Sequence, residues 1–164
     1  EIVIVICCGL YVAFFIFWLG TEAMGSGKEV MERILFTDNK RVQWYLPFVR
    51  MNGLIASFGF GGAGGVFAPS LSAGATFGAL IAELFEFGSS NANILILIGM
   101  TAFLTGVTRA PFTSAIIIFE MTDRHSIIFF LLFAGILANI IASYVSKESF
   151  YDLLKKDFIT EVNK

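Results

Sequence analysis

One stretch of this 164-residue sequence can do chemistry without any ionisable side chain: Gly64-Gly65-Val66-Phe67-Ala68-Pro69. Glycine tolerates positive φ and lets the backbone approach a ligand closely. The residues that follow open a helix, and Pro69 suits its first turn, where a missing N–H has no intrahelical partner anyway. The first amides of a helix lack intrahelical acceptors and carry the positive end of the helix dipole. Together they favour an anion. In a water-poor interior a full positive charge would hold an anion too tightly for rapid exit. Neutral N–H dipoles replace hydration water and still permit release, which is what an anion pathway requires. The alternative reading of the same residues is a plain loop before a proline-started helix.

The other polar candidates are few. Glu120 sits near the end of an apolar helix, where a carboxylate is a functional candidate; we read it as structural, bonding nearby backbone or Arg/Ser groups. Arg109 precedes Ala110-Pro111 at a helix junction, where it caps carbonyls or faces water. His125 is the single histidine and falls in a short polar break, read as solvated. Glu83 and Glu86 end a helix and reach an aqueous surface. Tyr151 read alone is an interfacial aromatic, although its hydroxyl, ionising only near pH ~10, can donate to an anion without adding charge. Cys7 and Cys8 are adjacent, whereas a disulfide wants Cα atoms about 5.5 Å apart. They read as two small apolar residues of a helix, and no metal-ligand spacing exists. There is no catalytic dyad and no nucleophile motif. An enzyme is not expected, and neither is a cofactor or a metal.

The elements that must position these residues follow from composition. The chain is 57% hydrophobic and 15% charged, with a mean hydropathy of +0.81. Ordinary soluble domains are about 45–50% apolar and roughly 25% charged, and a core of this size cannot absorb the excess. Disorder needs the opposite composition. Net charge is −2 with no dense cationic patch, which disfavours a nucleic-acid partner. Charge is also unevenly spread. Residues 2–19, 51–82, 87–108 and 126–146 carry none, and no Lys or Arg occurs between Met51 and Thr108. A bilayer span needs roughly 20 predominantly apolar residues, so the pattern implies a multi-pass integral membrane protein in contact with lipid.

Periodicity and breakers divide the chain into helices of unequal length. Residues 2–19 read as one long apolar helix. Residues 28–35 form a short amphipathic piece, with Val30, Met31, Ile34 and Leu35 opposite Lys28, Glu29, Glu32 and Arg33. Residues 42–58 are helical, with Pro47 in the first two turns. The glycine cluster of 59–65 interrupts an apolar region, and non-helical backbone at membrane depth is tolerated only when buried in protein or lining a cavity. A second helix runs from Ala68 or Pro69 to Phe87, with Gly74, Gly78 and Ala82 as a small-residue face for close helix contact. Residues 88–91 form a turn, 92–107 a helix, 112–121 a short apolar helix, and 127–145 a full span. The last span carries Ala134, Ala138 and Ala142 on one face, with Gly135, Asn139 and Ser143 beside them. Residues 146–164 form a terminal amphipathic segment whose lysines suggest the cytoplasmic side. The fold class is all-α.

Several of these motifs carry a family resemblance. Gly64-Gly65-Val66-Phe67-Ala68-Pro69-Ser70-Leu71 resembles the GxFxP region of the CLC family of chloride channels and chloride/proton antiporters. Residues 20–32 resemble the segment that opens that family's second half. Residues 99–142, through Thr108-Arg109-Ala110-Pro111-Phe112-Thr113-Ser114 and Phe119-Glu120-Met121-Thr122-Asp123, are similar to its RAPxT…EMT region. Phe150-Tyr151 resembles the tyrosine-bearing start of its last membrane helix. The match runs in order through nearly all 164 residues.

The resemblance implies a CLC-type membrane fold with broken helices, in which residues 1–164 are the second inverted repeat plus the terminal helix. It implies an anion held by the backbone amides of Val66 and Phe67 and by the hydroxyl of Tyr151 from the cytoplasmic side. Gly64, Gly65 and Pro69 would shape the anion loop, and Arg109 and Glu120 would be structural. It also implies chloride as the transported ligand and a homodimer with one path per subunit. The family's first repeat carries a serine-containing anion loop and a GxExP gating glutamate. Neither motif is found here, so the missing N-terminal half of the same membrane domain is an expected partner. Two other classes fit the residues alone: another secondary transporter for a small organic or inorganic anion, and a non-transporting membrane scaffold.

Overall fold

The computed structural model describes residues 25–37, 40–59, 65–122 and 125–162, with scattered positions between 6 and 17. Among the described residues every regular element is helical. We label them α1 (Lys28–Phe36), α2 (Leu46–Gly59), α3 (Phe67–Leu84), α4 (Ser89–Thr108), α5 (Pro111–Thr122), α6 (Ile128–Val145) and α7 (Phe150–Val162), with a 3-10 turn His125–Ile127 before α6. Positions 6, 9–11, 13–14 and 17 of the expected first helix are helical, and Cys7 and Cys8 lie outside the described residues. Helices α3, α4 and α6 are each long and apolar enough to cross a membrane, and α5 is a shorter apolar helix. The chain is an all-α integral membrane protein.

The helix ends are set by local chemistry that the apolar pattern conceals. Helix α2 starts at Leu46 rather than 42, because Pro47 has no N–H and its ring clashes with the carbonyl four residues back. Helix α3 starts one residue before the expected Ala68 and stops at Leu84. Beyond it, the Glu86 N–H donates to the Glu83 carbonyl at 3.1 Å and the Phe87 N–H to the Ala82 carbonyl at 3.0 Å. This is a Schellman ending, with Glu86 in the left-handed region at φ 54. Helix α4 takes in Ser89, Ser90 and Asn91, expected as a turn, since the Ala92 N–H already bonds the Gly88 carbonyl at 2.9 Å.

The chain forms two compact units, Glu1–Met100 and Thr101–Lys164, with the boundary inside α4. In the first unit α3 is the central helix: Ser70, Ser72, Ala73, Ala75 and Thr76 are fully buried. Helices α1 and α2 both pack against it. Helix α1 contributes Val30, Met31, Ile34 and Leu35, the face its periodicity predicts. The expected small-residue ladder is the contact with α4. A Cβ on Gly78 would lie 2.5 Å from the Leu95 carbonyl oxygen, and one on Gly74 2.4 Å from that of Gly99. Between helices in lipid, where apolar surface is no driving force, such backbone proximity supplies the packing energy.

Polar groups pin the first unit at its edges. The Lys40 ammonium donates to the carbonyls of Ile34 (3.1 Å) and Thr37 (3.2 Å), and to Asn93 Oδ1 on α4 at 2.6 Å. It thereby places a cation at the negative end of α1. Gly27, at φ 79, caps α1 where a Cβ would overlap the Ser72 hydroxyl. In the second unit α5 and α6 pack together. Gly135 lies against Pro111, and Ala115, Ile118 and Leu131 are fully buried. Many of the remaining α6 side chains are apolar and exposed, including Phe129, Phe133, Leu137, Ile141 and Tyr144.

Candidate functional site

The glycine junction and α3 meet at Val66. This residue is the N-cap, in the right-handed helical region at φ −74 and ψ −28, and no side chain caps the helix. The first intrahelical bond here runs from the Ser70 N–H to the Val66 carbonyl at 3.1 Å. Pro69 contributes no N–H. Among the described residues the amides of Val66, Phe67 and Ala68 therefore have no hydrogen-bond acceptor. Three donors converge at the positive end of an 18-residue helix, an arrangement suited to an anion. Val66 is buried, whereas the Phe67 side chain is 41% exposed.

A Cβ on Gly65 would meet nothing within 4 Å. Val66 is already helical where the chain enters α3. Gly64, with residues 60–63, lies outside the described residues.

Tyr151 is the second residue of α7, is 44% exposed, and belongs to the other compact unit. Its helix start is strongly organised. The Ser149 hydroxyl and N–H donate to Asp152 Oδ2 at 2.7 and 2.9 Å, and the Asp152 N–H donates back to the Ser149 hydroxyl at 3.1 Å. This reciprocal capping box encloses Phe150 and Tyr151. The Ser149 hydrogen bonds, aided by Lys155 and Lys156, hold the Asp152 carboxyl below the usual aspartate value of 3.8. Lys156 also pairs with Glu148.

Arg109 has the most defined geometry of the candidate residues. It follows α4 in the left-handed region at φ 61, with its N–H bonded to the Thr105 carbonyl at 2.8 Å. A non-glycine residue there costs about 1–2 kcal/mol. The turn aims the guanidinium at the C-terminal end of α6. Nη1 donates to the Asn139 carbonyl at 3.3 Å, and Nη2 to the carbonyls of Ala142 and Ser146, each at 2.5 Å. A cation thus meets the negative end of the helix dipole.

Glu120 is exposed near the end of α5, and its carboxylate makes no hydrogen bond among the described residues. Glu83 and Glu86 are exposed, with Glu83 accepting from the Val42 N–H at 3.4 Å. Both line a cavity of about 610 Å³ with Lys40, Arg41, Phe87 and Ser89. It lies at the far end of α3 from Val66, roughly 25 Å along the helix at the standard rise. His125 opens the 3-10 turn, and its side chain lies outside the described residues. Arg50 had no assigned role in the sequence, yet it is buried on α2 and donates to the Gly25 carbonyl at 3.1 Å. A lone arginine in an apolar helix was the signal.

A family model described as voltage gated chloride channel matches residues 1–143. The voltage-gated ClC-type chloride channel ClcB of Yersinia pestis is 32% identical over 106 residues, covering 62% of this chain and 26% of that protein. ClcB proteins of two Yersinia pseudotuberculosis strains, IP 31758 and IP32953, match with the same identity and coverage. The matched stretch spans about a quarter of the length of these curated relatives.

Proposed function

Because the chain belongs to the voltage gated chloride channel family, we propose that it supplies one half of a membrane domain that moves chloride across the bilayer, as a channel or a chloride/proton antiporter. The observation that carries this reading is the N-terminus of α3. There the amides of Val66, Phe67 and Ala68 open a helix with neither a side-chain cap nor another acceptor among the described residues. A chloride ion stripped of water needs several donors at once. Neutral amides provide them without the deep trap that a lysine or arginine would create. Tyr151 adds a hydroxyl that can donate a hydrogen bond. Residues 1–164 act as the second repeat plus the terminal helix, and the path closes only with a first repeat.

The exposed apolar faces of α5 and α6, including Phe112, Ile116, Phe133 and Leu137, are the surface we assign to a second copy of the subunit. The terminal segment with Lys155 and Lys156 would face the cytoplasm.

Radiotracer chloride uptake into liposomes tests the reading on the membrane domain that contains this chain. Uptake inhibited by other halides and little affected by organic anions is the expected result. Preferential uptake of an organic anion would replace chloride as the substrate, and absence of any flux would favour a scaffold. The isolated 164-residue chain should give no flux above background; robust chloride-selective flux from it alone would remove the need for a first repeat.

A further inference from the structure

Arg109 occupies a backbone conformation that glycine would adopt more easily, so its side chain must give a return that glycine cannot. That return lies at the end of α6. The three carbonyls it meets, from Asn139, Ala142 and Ser146, follow one helix face out of α6 and into the linker that leads to α7. Only a planar fork with several N–H donors can engage this set together.

From Ser146 onward the linker has little freedom. The Ser146 hydroxyl donates to the Glu148 carbonyl at 3.1 Å and lies 3.3 Å from the Glu148 N–H. Ser149 is buried and closes the capping box with Asp152. Tyr151 sits inside that box, five residues beyond the carbonyl that Arg109 holds. Contact therefore runs without a gap from the guanidinium to the backbone of Tyr151, all within the second unit.

We propose that Arg109 is a positioning residue for Tyr151: by clamping the α6 end and Ser146 it fixes where α7 begins, and so where the phenol points. This rests on Tyr151 being an anion ligand. It assigns Arg109 no contact with the anion itself.

The test uses the membrane domain that contains this chain, with two readouts. Arg109→Asn tolerates the left-handed conformation but is too short to reach α6, while Arg109→Lys keeps a charge that can meet one or two of the carbonyls. Amide hydrogen exchange reads the clamp directly. Arg109→Asn should accelerate exchange over residues 147–153, and Arg109→Lys should restore most of the protection. Chloride calorimetry reads the consequence. Arg109→Asn should weaken affinity about tenfold, the scale of one charge-assisted hydrogen bond, and should cause no further loss when added to Tyr151→Phe.

Unchanged exchange over 147–153, or an equal affinity loss in both backgrounds, overturns the proposal. A Tyr151→Phe protein with unaltered chloride affinity instead overturns the ligand reading on which it rests. The exchange data separate these two failures. Should Arg109→Asn fail to fold, the same pair of measurements on Arg109→Lys, with smaller expected effects, decides the matter.

Discussion

Gly74 on α3 and Gly99 on α4 meet backbone to backbone: a Cβ built on either would sit 2.4 Å from the carbonyl oxygen of the other. Neither obstacle is a side chain that can swing away, so the helices themselves must separate to admit a methyl group. Gly74→Ala and Gly99→Ala are each expected to destabilise by at least ~1–3 kcal/mol, the usual range for overpacking. Gly53, in α2, is the control, because a Cβ there meets nothing within 4 Å. Gly53→Ala should be neutral or stabilising by up to about 1 kcal/mol. Thermal denaturation in detergent compares the three, and equal melting temperatures would refute the close contact.

The left-handed residue after α3 gives the opposite expectation. Glu86 holds φ 54 in a Schellman ending that glycine usually occupies. Its side chain is exposed and makes no hydrogen bond among the described residues. Glu86→Gly should raise stability by roughly 0.5–1 kcal/mol through relief of that conformation, without changing chloride affinity. Lower stability would mean that the Glu86 carboxylate contributes through the cavity it lines.

The capping box of α7 has a defined pH dependence. The Asp152 carboxyl lies below its ordinary value chiefly because Ser149 donates to it, with Lys155 and Lys156 adding to the effect. A depressed carboxylate contributes stability above its unfolded value and loses it as pH falls through its folded value. Protection of the amides around Ser149 and Asp152 should therefore stay constant from pH 7 down to about 4 and fall below that. Exchange measured across this range checks it, and loss of protection between pH 5 and 7 would contradict the assignment. Asp152→Asn should remove the pH dependence.

The anion reading of α3 can be tested at a single atom. Replacing Phe67 by the corresponding hydroxy acid turns one amide into an ester, which deletes a donor while preserving shape. A hydrogen bond to a charged group contributes about 1.5–3 kcal/mol, so chloride affinity should fall roughly tenfold to a hundredfold. An ester protein that binds chloride with unaltered affinity would rule out the Phe67 amide as a ligand.

Much of this was legible in the residues. The buried face of α1 could be read from Val30, Met31, Ile34 and Leu35, because charged residues occupy the rest of its circumference. The ladder of Gly74, Gly78 and Ala82 announced a close helix contact, because small residues at that spacing have no other common use in an apolar helix. The Ser149–Asp152 box is also written in the sequence as Ser-x-x-Asp, within the 146–164 segment whose amphipathic pattern alone does not mark where the helix begins. The end of α3 was hidden, since Phe85 and Phe87 prolong an apolar run that the backbone has already left.

By itself, then, the sequence determined that the chain lives in a bilayer, where its helices lie apart from their exact ends, and that a glycine junction leads into a helix expected at Ala68 or Pro69. These properties depend on hydropathy, propensity and capping, all of which act within a few residues. Only the tertiary structure decided that the glycine ladder faces α4, that Arg50 is buried, and that Arg109 holds the carbonyl of Ser146, 37 positions away. The donors of an arginine are unspecific until the fold brings carbonyls to them, and no local pattern states which helix end will arrive.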